Sequence, residues 1–521
     1  MAENPYLLHI KQNLPRLLAL FDRDRTSPSY GMGDRYYWAW SLIDFGNGTF
    51  QGAAHGMARL WNSGIWPYST DLHTFLQRID ALFQGTRRLT RPDGSLEEAF
   101  PYEGSYCVTA LAAYDLILAL GLLAGDIDQT TNENWKGIIQ PMIGFLIRAD
   151  ETHGLISNHL ATAIAALVRW HNLTGDKKAQ TKAEFLLQRL LVHQSVEGWF
   201  EEYQGADPGY QTLCLTYLAD AHSLRPDWDL LEPLTRSVRF LWYFSHPDGS
   251  FGGLYGSRCT RFYNPAGLEA LAGEIPEALA LAEYMVPSIS QNKVVTLSSI
   301  DEPNLIPWFN AYCWAAVLYE QRADNRPSGL SVPCKRAETK RTRFDHGGLL
   351  IDQGPGHYSI ICTNKGGGVV HFEKTRLVIE NPGVVALNKW GVMGSTQIYQ
   401  PDNPVRLEGD TLVVESRFYT MPRRLPGPLW FIIFRLLCVT LFRIRGLREI
   451  IKRLLVRLLI TKRRSWPATN FRRINLGADL SIQDQTKLPQ GYNIVENPGP
   501  FVSIHMAGQG YWQVQDEAGG W

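Results

Sequence analysis

Residues 196–222, VEGWFEEYQGADPGYQTLCLTYLADAH, run from a Gly-containing turn through acidic and aromatic residues into a helix. Asp207 is a good N-cap, and Pro208 suits the first helical position, where a backbone N–H would find no partner anyway. The same order recurs on either side. Residues 92–120, PDGSLEEAFPYEGSYCVTALAAYDLILAL, and residues 247–272, PDGSFGGLYGSRCTRFYNPAGLEALA, also set a Gly-rich turn and aromatic residues before a helix. One such unit cannot bury its apolar face alone. Recurrent units of this size predict a closed or arc-shaped toroid of helix pairs, against the plainer reading of an irregular all-α domain.

Outward from these stretches the helical texture continues to about residue 325. Apolar residues recur at three- and four-residue spacings and breakers punctuate the segments. Helices are expected over 5–21, 71–83, 105–123, 134–147, 159–172, 177–193, 209–223, 230–244 and 308–321. After Pro333 the texture changes. Segments 347–354 (GGLLIDQG), 357–364 (HYSIICTN), 367–388, 410–421 (DTLVVESRFYTM), 492–499 and 501–508 are β-branched and bounded by Gly, Asn or Pro. That composition predicts antiparallel strands and tight turns. A polar, Pro-containing linker at 322–340 separates the two textures. The expected organisation is therefore α+β and multidomain: an (α/α) toroid over 1–330, then an antiparallel β-sandwich over 331–521.

A length of 521 residues suits two or more cores rather than one. Lysine plus arginine and aspartate plus glutamate number 51 each, so no global field attracts nucleic acid, and electrostatic preferences must be local. Seven scattered cysteines without a CxxC pair read as free thiols of a reducing compartment. The first residues, MAENPYLLHIKQNLPRLL, read as an amphipathic helix rather than a secretion signal, which points to a cytoplasmic protein.

One segment breaks the β pattern. Residues 423–464 hold an apolar run, PLWFIIFRLLCVTLF, interrupted by Arg435, then RIRGLREIIKRLLVRLLITKRR. The run is shorter than the ~20 residues a spanning helix needs. On a helical wheel Leu447, Ile451, Leu454, Leu455 and Leu458 share one face, with Arg448, Lys452, Arg453 and Arg457 around the other. About a dozen basic residues stand against Glu449 alone. Such a helix is expected either on an anionic membrane surface or packed on the sandwich as an insertion.

Candidate chemistry sits at helix starts. Ser157 or Asn158 is expected as an N-cap, with His159 in the first turn, where the helix dipole favours a neutral imidazole and attracts a carboxylate. The common alternative is a capping Asn beside a half-buried His. Tyr210 falls in another first turn, where a phenol with a lowered pKa can donate to a leaving oxygen. The common alternative is a core Tyr, a role that better suits Tyr217. Tyr102, Glu103 and Tyr106 repeat the arrangement. If the inner helices of a toroid run parallel, their first turns gather at one end. There Glu201, Glu202 and Tyr203 would line the same rim. No dinucleotide fingerprint, P-loop, HExxH or nucleophile elbow is present, and the spacing of His346, His357 and His371 supports no metal set. No cofactor is expected. A terpenoid cyclase is disfavoured because no DxDD or DDxxD motif occurs.

Four features resemble the heparinase II/III superfamily of polysaccharide lyases and related uronyl epimerases. They are the toroid followed by a sandwich, SNHLATAIAAL (157–167), EEYQGADPGYQTLCLTYLA (201–219) and KGGGVVHF with LVIENPG (365–372 and 377–383). The resemblance implies a uronate-containing polysaccharide substrate, C5 proton abstraction and β-elimination. It implies that Asn158 neutralises the uronate carboxylate and His159 assists proton removal. Tyr210 would protonate the departing O4 or share the base role. It also implies a sandwich histidine in the site, for which His371 is the first choice and His357 and His346 are rivals. Tyr102, Glu103, Tyr106, Glu202 and Tyr203 are expected to bind substrate. The basic insertion is not a usual feature of such lyases and suggests work on a membrane-linked glycan under construction. A uronyl C5-epimerase and a non-catalytic glycan-binding scaffold remain as alternatives.

Overall fold

Short polar side chains set the helix starts. Asn4, Asp71, Ser105, Asp128, Asp176 and Asp207 each accept a hydrogen bond from a backbone N–H of the first turn they precede. The computed structural model describes residues 4–151, 155–322, 328–421, 427–456 and 464–501. Its helical part comprises α1 (Pro5–Leu18), α2 (Arg35–Trp38), α3 (Ala53–Asn62), α4 (Leu72–Leu89), α5 (Tyr106–Leu122), α6 (Gln129–Arg148), α7 (Ser157–Thr174), α8 (Lys177–Val192), α9 (Pro208–Leu224), α10 (Leu231–Leu241), α11 (Ala266–Leu271), α12 (Pro276–Ser290) and α13 (Glu302–Arg322). The expected helices are all present, with ends shifted by a few residues. Helices α2, α3, α11 and α12 lie outside the segments the apolar spacing picked out.

Helices α3, α5, α7, α9, α11 and α13 pack in that order, and α13 returns to α3, closing a ring. The inner helices are apolar nearly all round. In α7 every residue from Leu160 to Val168 is buried, and four of those nine are alanines that let neighbouring backbones approach. The outer helices carry one apolar stripe: α8 packs on α7, α10 on α9, α12 on α11 and α1 on α13. Each outer helix returns the chain, so the inner helices start at a common end. Bridges between the loops there, Asn47 to Glu97, Leu96 to Ser105 and Ile156 to Glu202, tie that end together. An ion pair crosses the ring between α7 and α9. The Arg169 guanidinium meets the Asp220 carboxylate with two donors, one at 2.6 Å, and Asp220 is fully buried.

The sandwich begins with a five-stranded antiparallel meander: β1 (Lys340–Phe344), β2 (Leu349–Gly354), β3 (His357–Cys362), β4 (Gly368–Glu373) and β5 (Arg376–Asn381). The second sheet holds β6 (Val385–Leu387), β7 (Met393–Ser395), β8 (Val405–Glu408), β9 (Thr411–Thr420), β10 (Ser465–Asn475), β11 (Ser481–Lys487) and β12 (Asn493–Ile494), ordered β11-β10-β9-β7-β6-β12 with β8 on β9. Alternation divides the first sheet between two cores. Leu349, Ile351, Tyr358, Ile360, Val370 and Phe372 join the core of the toroid. Leu350, Ile361 and Val369 pack instead against Leu412, Val414 and Ile474 of the second sheet. The expected strand at 501–508 falls almost wholly outside the described residues.

Between the paired strands β9 and β10 the chain leaves the sandwich and forms α14 (Pro428–Val439) and α15 (Arg445–Val456). Of the segment expected at 423–464, residues 423–426 and 457–463, including Arg457 and Leu458, lie outside the described residues. Both helices dock on the loop that precedes α5. Phe100 meets the rings of Phe434 and Phe442 at 5.2 and 5.4 Å, and Arg435 pairs with Asp44 at 3.1 Å. No helix among the described residues is long and apolar enough to cross a membrane.

Removing one partner of a buried ion pair strands the other charge. Asp220→Ala should therefore cost about 3 kcal/mol, while Asp345→Ala, which breaks an exposed pair with Arg343, should cost less than about 0.5 kcal/mol. Denaturant midpoints of the two variants check this. Equal shifts would show that the Arg169–Asp220 pair does not brace the ring.

Candidate functional site

The site gathers where the first turns of α7 and α9 meet the loops before them. Helix α7 starts at Ser157 with Ile156 in the cap position and no side-chain cap, so neither Ser157 nor Asn158 serves as the expected N-cap. Ser157 is drawn away because its hydroxyl and N–H both donate to the Glu201 carbonyl, at 2.6 and 3.2 Å. The Asn158 amide donates instead to the Glu202 carboxylate at 3.0 Å. Asn158 and Glu202 are both buried, 4% and 3% exposed.

Asp207 fixes the other side of the cluster. One carboxylate oxygen accepts from the Tyr210 N–H at 3.1 Å and from the Thr260 hydroxyl, and the other accepts from the Arg258 N–H at 3.0 Å. That grip places the Arg258 guanidinium over the rings of Tyr203 and Tyr210, 4.5 and 5.6 Å from their centroids. Arg258 is buried, and among the described residues its Nε has no hydrogen-bond partner. The Tyr210 ring leans on Phe262 at 5.2 Å. Tyr203 and Gln204 hold left-handed φ values of 49° and 73°. Tyr102 and Cys259 hold 63° and 55° in the two loops that share the recurrence, so each loop contains backbone that non-glycine residues rarely adopt.

The electrostatics differ from the expectation drawn from the helix dipole. His159 Nδ1 lies 2.7 Å from a Glu151 carboxylate oxygen. Burial opposes charge on the imidazole, but the Cys107 sulfur and the Glu151 carboxylate outweigh it and hold its pKa well above the usual histidine value. These partners favour the protonated imidazole, where a first-turn position alone would favour the neutral one. Burial pushes the Glu202 carboxyl up to about 7, against the lowering pull of Arg258, His159 and the Asn158 amide. Burial also raises the Tyr210 phenol, with Arg258 opposing, so Tyr210 stays protonated. At neutral pH the cluster therefore offers a fixed cation, a half-ionised carboxyl and a neutral phenol.

The structure brings Asn158, His159, Glu202, Tyr203 and Tyr210 together. It does not bring the other expected residues to them. His371 takes a hydrogen bond with the Ser359 hydroxyl at 2.7 Å, on the face of β4 that alternation turns away from the toroid. Its neighbours Val370 and Phe372 face the toroid instead. His357 pairs with Asp352 at 3.3 Å, and His346 is an exposed loop residue whose N–H donates to Glu197. Tyr106 is 4% exposed and packs toward Phe145 of α6, so it belongs to the space between helices rather than to the rim. Tyr102 lies against the insertion: Arg91 and Arg443 approach its ring at 5.0 and 4.9 Å from the centroid, and the Arg443 guanidinium donates to its hydroxyl at 3.1 Å. Glu103 accepts from the Ala99 N–H at 2.8 Å and pairs with Lys452. Arg258, Glu151 and Cys107 join the cluster without having been singled out. The third copy of the recurrence contains Arg258 and could have pointed to it. Among the described residues no group of three or more His, Cys, Asp or Glu side chains could hold a metal ion.

No protein-family model matches the chain, and no curated protein matches it in sequence. Solved structures align with parts of it at low identity. Chondroitin AC lyase of Streptomyces coelicolor A3 aligns at 10% identity and a TM-score of 0.49, over 81% of this chain and 65% of that one, so the chain spans less than two thirds of that lyase. Heparinase III aligns at 11% identity and a TM-score of 0.42, over 80% and 74%. Cellobiose 2-epimerase from Bacillus thermoamylovorans B4167 aligns at 12% identity and a TM-score of 0.45, over 60% and 99%.

Proposed function

We propose that the cluster at the mouth of the toroid is an acid–base site that eliminates across the C4–C5 bond of a uronate residue in a polysaccharide. The observation that carries this reading is the buried Glu202 carboxyl, poised near neutrality beside a protonated phenol and the Arg258 guanidinium. A uronate C5 proton is weakly acidic because the adjacent carboxylate is already negative. The His159 imidazolium, the Asn158 amide and Arg258 supply positive potential and hydrogen bonds for that carboxylate as carbanion character develops. Glu202 takes the C5 proton. The C4–C5 double bond forms, the C4–O4 bond breaks, and the Tyr210 phenol protonates the departing O4. The pKa separation between Glu202 and Tyr210 suits one to accept and the other to donate. This division of roles moves His159 from proton removal to charge neutralisation, because Cys107 and Glu151 beside it favour the protonated imidazole.

Two expectations follow for purified protein tested on a panel of uronate polymers, with unsaturated-uronate absorbance as the readout. Glu202→Gln and Tyr210→Phe should each lower kcat by about a hundredfold or more. Wild-type rates in either variant would remove that residue from the chemistry. Deuterium incorporation at C5 without cleavage would mean epimerisation, and glycan binding with neither signal would mean recognition alone.

The pH profile is a separate check. The base form of Glu202 exists above its pKa, so kcat/KM should rise about tenfold per pH unit below roughly 7 and level off above it. A flat profile through this region in the wild-type protein would exclude Glu202 as the base.

A further inference from the structure

We propose that α14 and α15 form a docking surface for an anionic lipid bilayer. An ordinary surface helix turns its apolar stripe inward, and these two do the reverse. In α15, Arg448 and Lys452 are buried against the toroid: Arg448 donates to the Tyr102 carbonyl at 3.2 Å and approaches Asp93, and Lys452 pairs with Glu103 at 3.6 Å. Ile450 and Leu454, one turn apart, are left exposed. Acidic groups on the toroid rim draw in Arg448 and Lys452 from the basic side of the wheel, Leu447 and Ile451 are left half-buried, and Ile450 and Leu454 point to solvent.

Helix α14 extends the exposed apolar surface. It is anchored by Phe434, Arg435 and the buried Cys438. Leu429 and Trp430 are each 71% exposed, and Phe431, Ile432, Ile433 and Leu436 are exposed beside them. Across the Arg435–Asp44 pair lies the loop carrying exposed Trp40 and Leu42. A contiguous apolar patch on this scale marks an interaction site.

Charge selects the occupant. Residues 423–464 carry twelve basic residues and one acidic residue, and Arg443 and Arg453 are exposed along the patch. A second copy of this surface would meet like charge, whereas anionic headgroups complement it and acyl chains accept the tryptophans and isoleucines. Twelve residues of α14 span about 18 Å, well short of the ~30 Å hydrocarbon core, so the helix lies in the interface plane. This inference is independent of the acid–base reading, because binding is measured without substrate.

The test is cosedimentation of the full chain with vesicles of phosphatidylcholine alone or mixed with phosphatidylglycerol. Binding is expected to the mixed vesicles and to weaken as salt is raised. Leu429→Ser with Trp430→Ser, and separately Arg443→Glu with Arg453→Glu, should each weaken it about tenfold or more. All four side chains are exposed, so unchanged circular dichroism is expected in both variants. Absence of binding to the mixed vesicles, or binding unchanged in both variants, would overturn the proposal. So would a concentration-dependent dimer that the serine variant dissolves, which would assign the patch to a second copy of the chain.

Discussion

An inner helix of this ring has no face to give to water. Helices α5 and α7 are buried along almost their whole length, so each needs neighbours on every side. A closed ring of like helices, wrapped by amphipathic ones, meets that demand. Parallel direction among the inner helices then follows from the returning outer helix between each pair. Everything functional in the molecule depends on this arrangement. It collects first turns that are distant in sequence at one end, and with them the backbone N–H groups and loops that surround Asn158, Glu202, Tyr210 and Arg258.

The same constraint explains what could be read in advance. The ring was legible because Gly-rich turns, aromatic residues and apolar runs recur in three stretches, and those patterns are local. The first sheet was legible for a similar reason, since β2 to β4 are β-branched and bounded by glycines. Strands β10 and β11 were not. Their sequences, SWPATNFRRIN and SIQDQTK, are polar because one face meets water and because the buried Arg472 is satisfied across the strands by Asp484. Helix α3, with Gly56 and His55 in its middle, gives little helical signal, yet it closes the ring. Gly56 leaves room there for Phe309 and Asn310 of α13.

The site divides along the same line. That Tyr210 stands in a first turn was readable from Asp207 and Pro208, and the start of α7 from its apolar run, although neither Ser157 nor Asn158 caps it. The charge states of the site were not, because the groups that set them come from elsewhere in the chain. Cys107 of α5 and Glu151, eight residues before His159, both favour its protonated form. Glu202 lies forty-four residues from Asn158 and takes over the amide that would otherwise cap the helix. Arg258 arrives from the next loop and sits over two tyrosine rings. Tyr203 and Gln204 take left-handed backbone that neither residue type favours.

The first sheet shares its inward side chains with the helices. Ile351, Tyr358, Ile360 and Phe372 belong to one continuous core with the toroid, and the Tyr358 hydroxyl donates to the Tyr243 carbonyl at 2.6 Å. Gly205, in the loop that carries Glu202, leaves just enough room for the Tyr399 ring of the sandwich, since a Cβ there would lie 2.4 Å from its hydroxyl oxygen. Helical and sheet portions are consequently one cooperative unit rather than two beads on a string. Heat should melt them together in a single calorimetric transition, and amides on both sides of the junction should lose protection from exchange at the same denaturant concentration.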